Sequence, residues 1–404
     1  MIDTIAYLAP EIPSVSGTFV YQEIIALQQS GLKIVPISVH QPQVLVEDCE
    51  VIKLSEITTY LYQQSLLSTL LLSLGLLIKN PQKYIAVFLT ALSDISQLGI
   101  SRLSSWKLMY QFLYACRVAK IIEANSCHYL HIHFAHVPTQ IGMYASQLTG
   151  VPFSFTAHAN DLFANQLLLA EKGRRAKTAV TISEYNRQFL LKQGLDAQKI
   201  EVVRCGIDTS KHEYLALGSR ANPVKIGSLG RLVAKKGMDD LILALSLLEQ
   251  KGIDFQLEIA GGGSLRSELE QMAIAKNLAD KIKFIGTIPH EQVYDWMKGL
   301  DLFVLACKQD EKGDQDGVPV VLMEAMTIGV PVVSTRISGI TELIEHESSG
   351  FLAHSNDPTS LAVTIEQLLQ QSDLAAITQA ARQRVVEEFE LTTNVNRLIA
   401  IFNA

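Results

Sequence analysis

Asp316-Gly317-Val318-Pro319, a short apolar stretch, Glu324-Ala325-Met326 and then Gly329-Val330-Pro331-Val332-Val333 form the segment whose reading decides the fold. Pro319 fits the first turn of a helix, where its missing N–H costs nothing. A loop therefore precedes it, a helix follows, and the β-branched run at 330–334 reads as a strand. The amides of Gly317 and Val318 then point out of a helix N-terminus, which is a ready anion site. Asp316 in the loop can grip sugar hydroxyls, Glu324 a turn and a half into the helix can take a ribose, and a phosphate fits between them.

Outward from this segment, strand-like apolar runs alternate with helical stretches, the pattern of an α/β protein with parallel sheets. One set of strands is expected at 2–8, 34–39, 129–134, 152–156, 179–182 and 200–203, with a first helix over 18–29. A second set is expected at 224–229, 255–260, 282–285, 302–306 and 330–334. Between them lie Gly206-Ile207-Asp208 and a polar stretch to Pro223, so we divide the chain into domains 1–208 and 209–384. The end of the chain reads as an amphipathic helix.

The chain of 404 residues is 48% hydrophobic and 19% charged, which describes a well-buried globular protein of two ordinary domains. Residues 1–210 hold 16 Lys and Arg against 15 Asp and Glu, and residues 211–404 hold 18 against 26, net charges of +1 and −8. No basic stripe marks a nucleic-acid surface. Five cysteines without a Cys-x-x-Cys pair point to a reduced, cytoplasmic setting, and the start of the chain reads as a buried strand rather than a secretory leader.

Residues 55–124 break the alternation. The Leu-rich run 66–78 is too short to span a bilayer, which takes about 20 residues, and reads as a core or an interfacial helix. Arg102, Trp106, Lys107, Tyr110, Tyr114, Arg117 and Lys120 follow in a helical context. Such a mixture suits peripheral contact with anionic lipid at an inner membrane face, with plain helical packing as the alternative.

Four further motifs offer chemistry. Gly230-Arg231 ends a strand and leads through Lys235 and Lys236 to Gly237 and a helix, and Arg231 with Lys236 can neutralise a diphosphate. Gly17 and Thr18 sit at the mouth of the first helix, where Gly17 allows a close backbone approach and Thr18 can cap or bind phosphate. His158, in Thr156-Ala157-His158-Ala159-Asn160-Asp161, lies at a strand's C-terminal edge, where ligands gather in open α/β sheets. Asp161 reads as an N-cap or as a partner that orients His158. Gly261-Gly262-Gly263 and Thr287-Ile288-Pro289 make turns after two later strands. His131, His133 and His136 cluster without a cysteine or carboxylate nearby in sequence, so they point to an acceptor pocket at His133 or His136 rather than to a metal. Asp314-Gln315-Asp316 spells a metal-binding Asp-x-Asp, but Arg231 and Lys236 already supply positive charge, and neither a metal nor another cofactor is expected.

Together these segments resemble the retaining glycosyltransferases of family 4, the group 1 glycosyl transferases of bacterial polysaccharide biosynthesis. Asp316-x7-Glu324 stands where that family carries Glu-x7-Glu, with the first acid one methylene shorter. The resemblance implies the GT-B fold, two facing Rossmann-like domains with parallel sheets and an interdomain cleft, and a last helix, about 385–404, that returns to the N-terminal, acceptor-binding domain. It implies that Arg231 and Lys236 bind the donor diphosphate, that His158 lies beside the transferred sugar, and that the Gly17 loop approaches donor and acceptor. It also implies that Gly230, Gly261, Ile288 and the 316–324 segment line the donor site. The expected activity is metal-independent, retaining transfer of a hexose from a nucleotide-diphosphate sugar, UDP-glucose or a similar UDP-hexose. The expected acceptor is a saccharide or lipid-linked saccharide in envelope or exopolysaccharide synthesis. A sugar-nucleotide epimerase of the same fold and a non-catalytic partner subunit are the alternatives.

Overall fold

A computed structural model describes residues 2–14, 17–42, 48–164, 166–216, 218 and 221–404. The chain separates into two compact units. The first comprises Met1–Ile182, Asn186–Val203 and Asn394–Ala404; the second comprises Ser183–Tyr185 and Arg204–Thr393.

The first unit is built on seven parallel strands: β1 (Thr4–Glu11), β2 (Lys33–His40), β3 (Thr59–Tyr60), β4 (Tyr129–His133), β5 (Phe153–Ala157), β6 (Thr178–Thr181) and β7 (Ile200–Val202). Their order is β3-β2-β1-β4-β5-β6-β7. Ile5 pairs with Ile34 on one side and with Tyr129 on the other. Strands β4 and β5 are buried along their whole length, because helices cover both faces of a parallel sheet. The final helix, Leu391–Asn403, carries Phe402 against Tyr129 and His131, with ring centroids 5.1 and 5.2 Å away.

The second unit repeats the plan with β8 (Val224–Leu229), β9 (Phe255–Ala260), β10 (Ile282–Gly286), β11 (Leu302–Leu305), β12 (Val332–Thr335) and β13 (Phe351–Ala353). The order is β10-β9-β8-β11-β12-β13, again all parallel. Strands β3 and β13 do not emerge from the sequence, since two and three residues are too few to show an alternation. In both sheets the strand order reverses direction beside the first strand, between β1 and β4 and between β8 and β11. Ligands of open α/β sheets bind at such reversals, beyond the carboxyl ends of the strands.

The irregular region between β3 and β4 is helical: Leu66–Lys79, Pro81–Leu98 and Lys107–Ala124. The first of these turns polar residues inward beside Leu72 and Leu76, which pack partly buried against the core. Thr69 and Ser73 are its buried residues, whereas Leu67, Leu71, Leu74 and Ile78 are between 54 and 82% exposed. Arg117 holds the polar face through Thr69 Oγ1 at 3.0 Å and Ser68 Oγ at 2.7 Å, and Tyr84 meets Ser73 at 2.7 Å. Tyr114 is buried as well, so Tyr114 and Arg117 serve helix packing rather than an outer surface. Among the described residues, no helix is long and apolar enough to cross a membrane.

Candidate active site

In the second unit, the ends of β8 and β9 are stitched together by backbone. Gly230 N donates to Ala260 O at 3.0 Å and Leu232 N to Gly262 O at 2.9 Å. Gly261 has φ +128, and a Cβ there would stand 2.0 Å from Gly230 O, so a side chain would push the two loops apart. Gly237 has φ +63 and a Cβ would fall 1.8 Å from Ala306 O, which seats the start of helix Met238–Gln250 against the end of β11. These contacts fix the loop that carries the basic residues. Arg231 is exposed and makes no ion pair among the described residues.

Lys236 Nζ lies 2.6 Å from Asp316 Oδ2, while Lys235 Nζ lies 2.9 Å from Asp314 Oδ2 and 3.6 Å from Asp316 Oδ1. Both acids of the Asp-x-Asp are thus engaged by adjacent lysines. Burial alone would raise the Asp316 carboxyl, but Lys236 and Lys235 override it and hold its pKa below the ordinary value. Burial likewise opposes the charge on Lys236, and Asp316 more than offsets it, so the pKa is raised. The Cys307 thiol donates to Asp316 at 3.3 Å; burial, then Asp316, pushes its pKa well up, so it is an inert thiol.

The helix after this loop runs Val320–Ile328, with Pro319 as its N-cap at φ −66 and ψ 121. Pro319 therefore stands one position before the first turn that its sequence context indicates. Among the described residues the amides of Gly317 and Val318 donate to no protein acceptor, so two N–H groups next to a helix N-terminus are unspent. Glu324 is buried on this helix, with Oε1 3.4 Å from His290 Nε2. Gly262 and Thr287 adjoin each other, which brings the turn containing Ile288 beside the glycine loop.

In the first unit, β4 and β5 end side by side. His158 is buried, and its ring Nε2 lies 3.0 Å from His133 Nδ1. His133 Nε2 lies 3.1 Å from Glu23 Oε1, so both nitrogens of His133 are committed within the protein and do not serve an acceptor contact. His136 Nδ1 accepts from Val137 N at 2.8 Å and caps helix Val137–Thr149. Burial, then Lys172 and His40, lower its pKa to about 4. Asp161 accepts from His158 N at 2.9 Å and from Ala135 N, tying the loops after β4 and β5 together. Each of its carboxyl oxygens takes one of these amides, and burial raises its pKa to about 7. Lys172 Nζ donates to Ala135 O at 2.5 Å and Leu167 O at 2.6 Å.

Gly17 is the N-cap of helix Thr18–Gln29 with φ −117, a conformation open to any residue, and no side-chain cap bond forms there, so Thr18 does not cap. Val15 and Ser16 of the same loop lie outside the described residues.

Sequence reasoning missed Glu23, which reaches His133 across 110 positions. It is the carboxylate that sequence proximity fails to supply to the histidine cluster. Glu23 and the rings of His131 and His133 bring a carboxylate oxygen and two ring nitrogens within 4.8 Å of one another. These groups already bond one another, Tyr7 and Thr156. His131 is a core histidine, bonded to Ser154 and Thr156, with its pKa lowered to about 3 by burial and then by His133.

The sequence model of the Glycosyl transferases group 1 matches residues 215–384, and that of Glycosyltransferase Family 4 matches residues 94–211. The chain is 38% identical over 209 residues to the amylovoran biosynthesis glycosyltransferase AmsK of Erwinia amylovora, a match covering 52% of this chain and 51% of that one. It is 34% identical over 229 residues to the putative colanic acid biosynthesis glycosyltransferase WcaL of Escherichia coli K12, covering 56% of each. The chain spans about half the length of these curated relatives. Among solved structures, Anabaena Alr3699/HepE in complex with UDP and glucose superposes with a TM-score of 0.71 at 16% identity, covering 99% of both chains. A glycosyltransferase from Rickettsia africae gives 0.69 at 19% identity, covering 99% of this chain and 98% of that one. The two parallel Rossmann-like sheets have the GT-B fold of these solved structures, and the two halves of the chain carry a Glycosyltransferase Family 4 and a Glycosyl transferases group 1 domain.

Proposed function

We propose that the protein is a retaining, metal-independent hexosyltransferase. It would move a sugar from a UDP-hexose, UDP-glucose being the first candidate, to a saccharide or lipid-linked saccharide in exopolysaccharide assembly. The observation that carries this reading is the convergence, beyond the ends of β8 and β11, of Arg231, Lys236 and the unspent amides of Gly317 and Val318. Charge developing on a departing diphosphate is stabilised by preorganised donors of this kind, the largest single contribution in many enzymes. The solved relative that holds UDP and glucose supports the choice of donor.

In this reading Lys236 exchanges its bond to Asp316 for the diphosphate, and Asp316, released, turns to a sugar hydroxyl. Gly230 and Gly261 keep the backbone low beneath the nucleotide, Ile288 reads the base, and Glu324 takes the ribose. His158 lies beside the hexose. Attack comes from the face that the leaving group departs, and the departing phosphate accepts the acceptor's proton. Residues 209–384 form the donor-binding domain, the N-terminal domain with His136 and Asp161 forms the acceptor side, and Gly17 and Thr18 contact the donor.

The solvent-facing leucines of helix Leu66–Lys79 support a peripheral site on the cytoplasmic face of a membrane, where a lipid-linked acceptor is found. Incubation with labelled UDP-glucose and analysis of products tests the activity. Slow release of UDP and free glucose supports transfer, an epimerised sugar nucleotide supports an epimerase, and no turnover with UDP, GDP or ADP sugars supports a non-catalytic subunit. Arg231→Ala and Lys236→Ala should each weaken UDP binding about tenfold, by loss of one charge-assisted bond; unchanged affinity in both rejects the assigned site.

A further inference from the structure

A buried row of four side chains runs from β1 to the ligand end of β5. Tyr7 donates its hydroxyl to Glu23 Oε1 at 2.7 Å; His133 Nε2 meets the same oxygen at 3.1 Å; His133 Nδ1 meets His158 Nε2 at 3.0 Å. His133 is stacked between Tyr7 and His158, with centroids 5.3 and 5.2 Å away, and Phe134 and Phe19 press on His158 at 4.5 and 4.9 Å. Asp161 holds the His158 backbone. The ring is therefore clamped in position, and among the described residues its hydrogen bonds are the Nε2 contact to His133 and those of its backbone, which leaves Nδ1 open.

A carboxylate only accepts, so His133 must carry a proton on Nε2. Burial opposes the charge of Glu23, yet His133, His131 and Tyr7 outweigh it and its pKa is lowered, which keeps it an acceptor. With a single proton already on Nε2, His133 offers a lone pair at Nδ1, and His158 must donate from Nε2. Burial, then His133, His136 and His131, lower the His158 pKa well below the ordinary value, so this ring holds one proton only.

We propose, resting on the glycosyl-transfer reading above, that Glu23 and His133 are positioning residues that lock His158 in its Nε2–H tautomer. His158 then presents an unprotonated Nδ1 as acceptor to a sugar hydroxyl. The other titratable groups around the row are His131 on β4, His136 in the following loop, and Asp161 and Lys172 beneath the loops.

The test is nitrogen-15 NMR of histidine-labelled full-length protein at pH 8, beside UDP-glucose turnover. The wild type should show His158 protonated at Nε2. His133→Leu and Glu23→Leu should each release it to a mixture of tautomers and lower kcat about tenfold, the worth of one hydrogen bond, with KM for the donor within twofold. His158 protonated at Nδ1 in the wild type at pH 8 overturns the proposal, and that measurement stands even if a variant fails to fold. So does an unchanged tautomer in folded variants, or one equivalent of zinc in the purified protein, since the metal would occupy these lone pairs. The expected tautomer in a protein that transfers no sugar would count against the glycosyl-transfer reading and leave the locked ring standing.

Discussion

Lys236 and Asp316, eighty positions apart in the chain, meet at 2.6 Å at the end of the second sheet, and Lys235 approaches the other carboxylate oxygen at 3.6 Å. The pair gives stability a defined pH dependence. Asp316 has a folded pKa below its ordinary 3.8, so its contribution is present above that value and is lost as the pH falls through the lowered folded one. Lys236 is raised above 10.5, so its share is present below that value and is lost only as the pH rises through the raised one. Asp316→Asn should cost about 3 kcal/mol at neutral pH by stranding a buried ammonium. Urea titrations should find the gap to wild type constant from about pH 5 to 9 and shrinking in acid.

Asp94 is fully buried and receives Arg175 through two bonds of 2.6 and 2.7 Å and the Tyr144 hydroxyl at 2.8 Å. Removing the carboxylate leaves a largely buried guanidinium with Glu171 as its one remaining ion-pair partner among the described residues. Asp94→Ala should therefore destabilise the first unit by about 3–5 kcal/mol, against about 1 kcal/mol for Tyr144→Phe. Equal losses in chemical denaturation would show that the ion pair is not the dominant element.

Gly237 combines a left-handed φ of +63 with a hypothetical Cβ 1.8 Å from a main-chain oxygen. Gly237→Ala should lower stability by more than the roughly 1–3 kcal/mol of such backbone strain and weaken UDP binding, because Lys235 and Lys236 ride on the same loop. By contrast Gly252 also has positive φ, +79, but open space around it, so Gly252→Ala should cost only the strain. Thermal melts of the two variants make the comparison.

The exposed leucine stripe predicts binding to anionic vesicles. Leu71→Glu and Leu74→Glu should each reduce partitioning about tenfold, the scale set by burying one leucine side chain, without lowering the melting temperature. Sedimentation with phosphatidylglycerol-containing vesicles reads the effect, and equal binding by wild type and the double variant would remove the membrane role.

Much of the fold is legible locally. The runs at Val224–Leu229 and Phe255–Ala260 are apolar because both faces of an inner parallel strand are covered, and the helix Thr18–Gln29 has the bounds its periodicity indicates. The two- and three-residue edge strands Thr59–Tyr60 and Phe351–Ala353 carry no such signal. At the candidate site, Arg231, Lys236 and the Gly317-Val318 amides are readable because each sits in a short motif. The roles of His133 and His136 are not, since which ring nitrogen is spent depends on Glu23, His158 and Val137.

Sequence by itself determined the two parallel α/β sheets and the cationic loop after β8, because strand burial and glycine turns are properties of neighbouring residues. Tertiary structure alone decided which charges cancel and which faces are wet. Lys235 and Lys236 find Asp314 and Asp316, Glu23 finds His133, and Arg117 and Tyr84 hold Thr69 and Ser73 inward while leucines face out. Hydrogen bonds and ion pairs act over a few ångströms of space, and no local periodicity encodes a partner dozens of residues away.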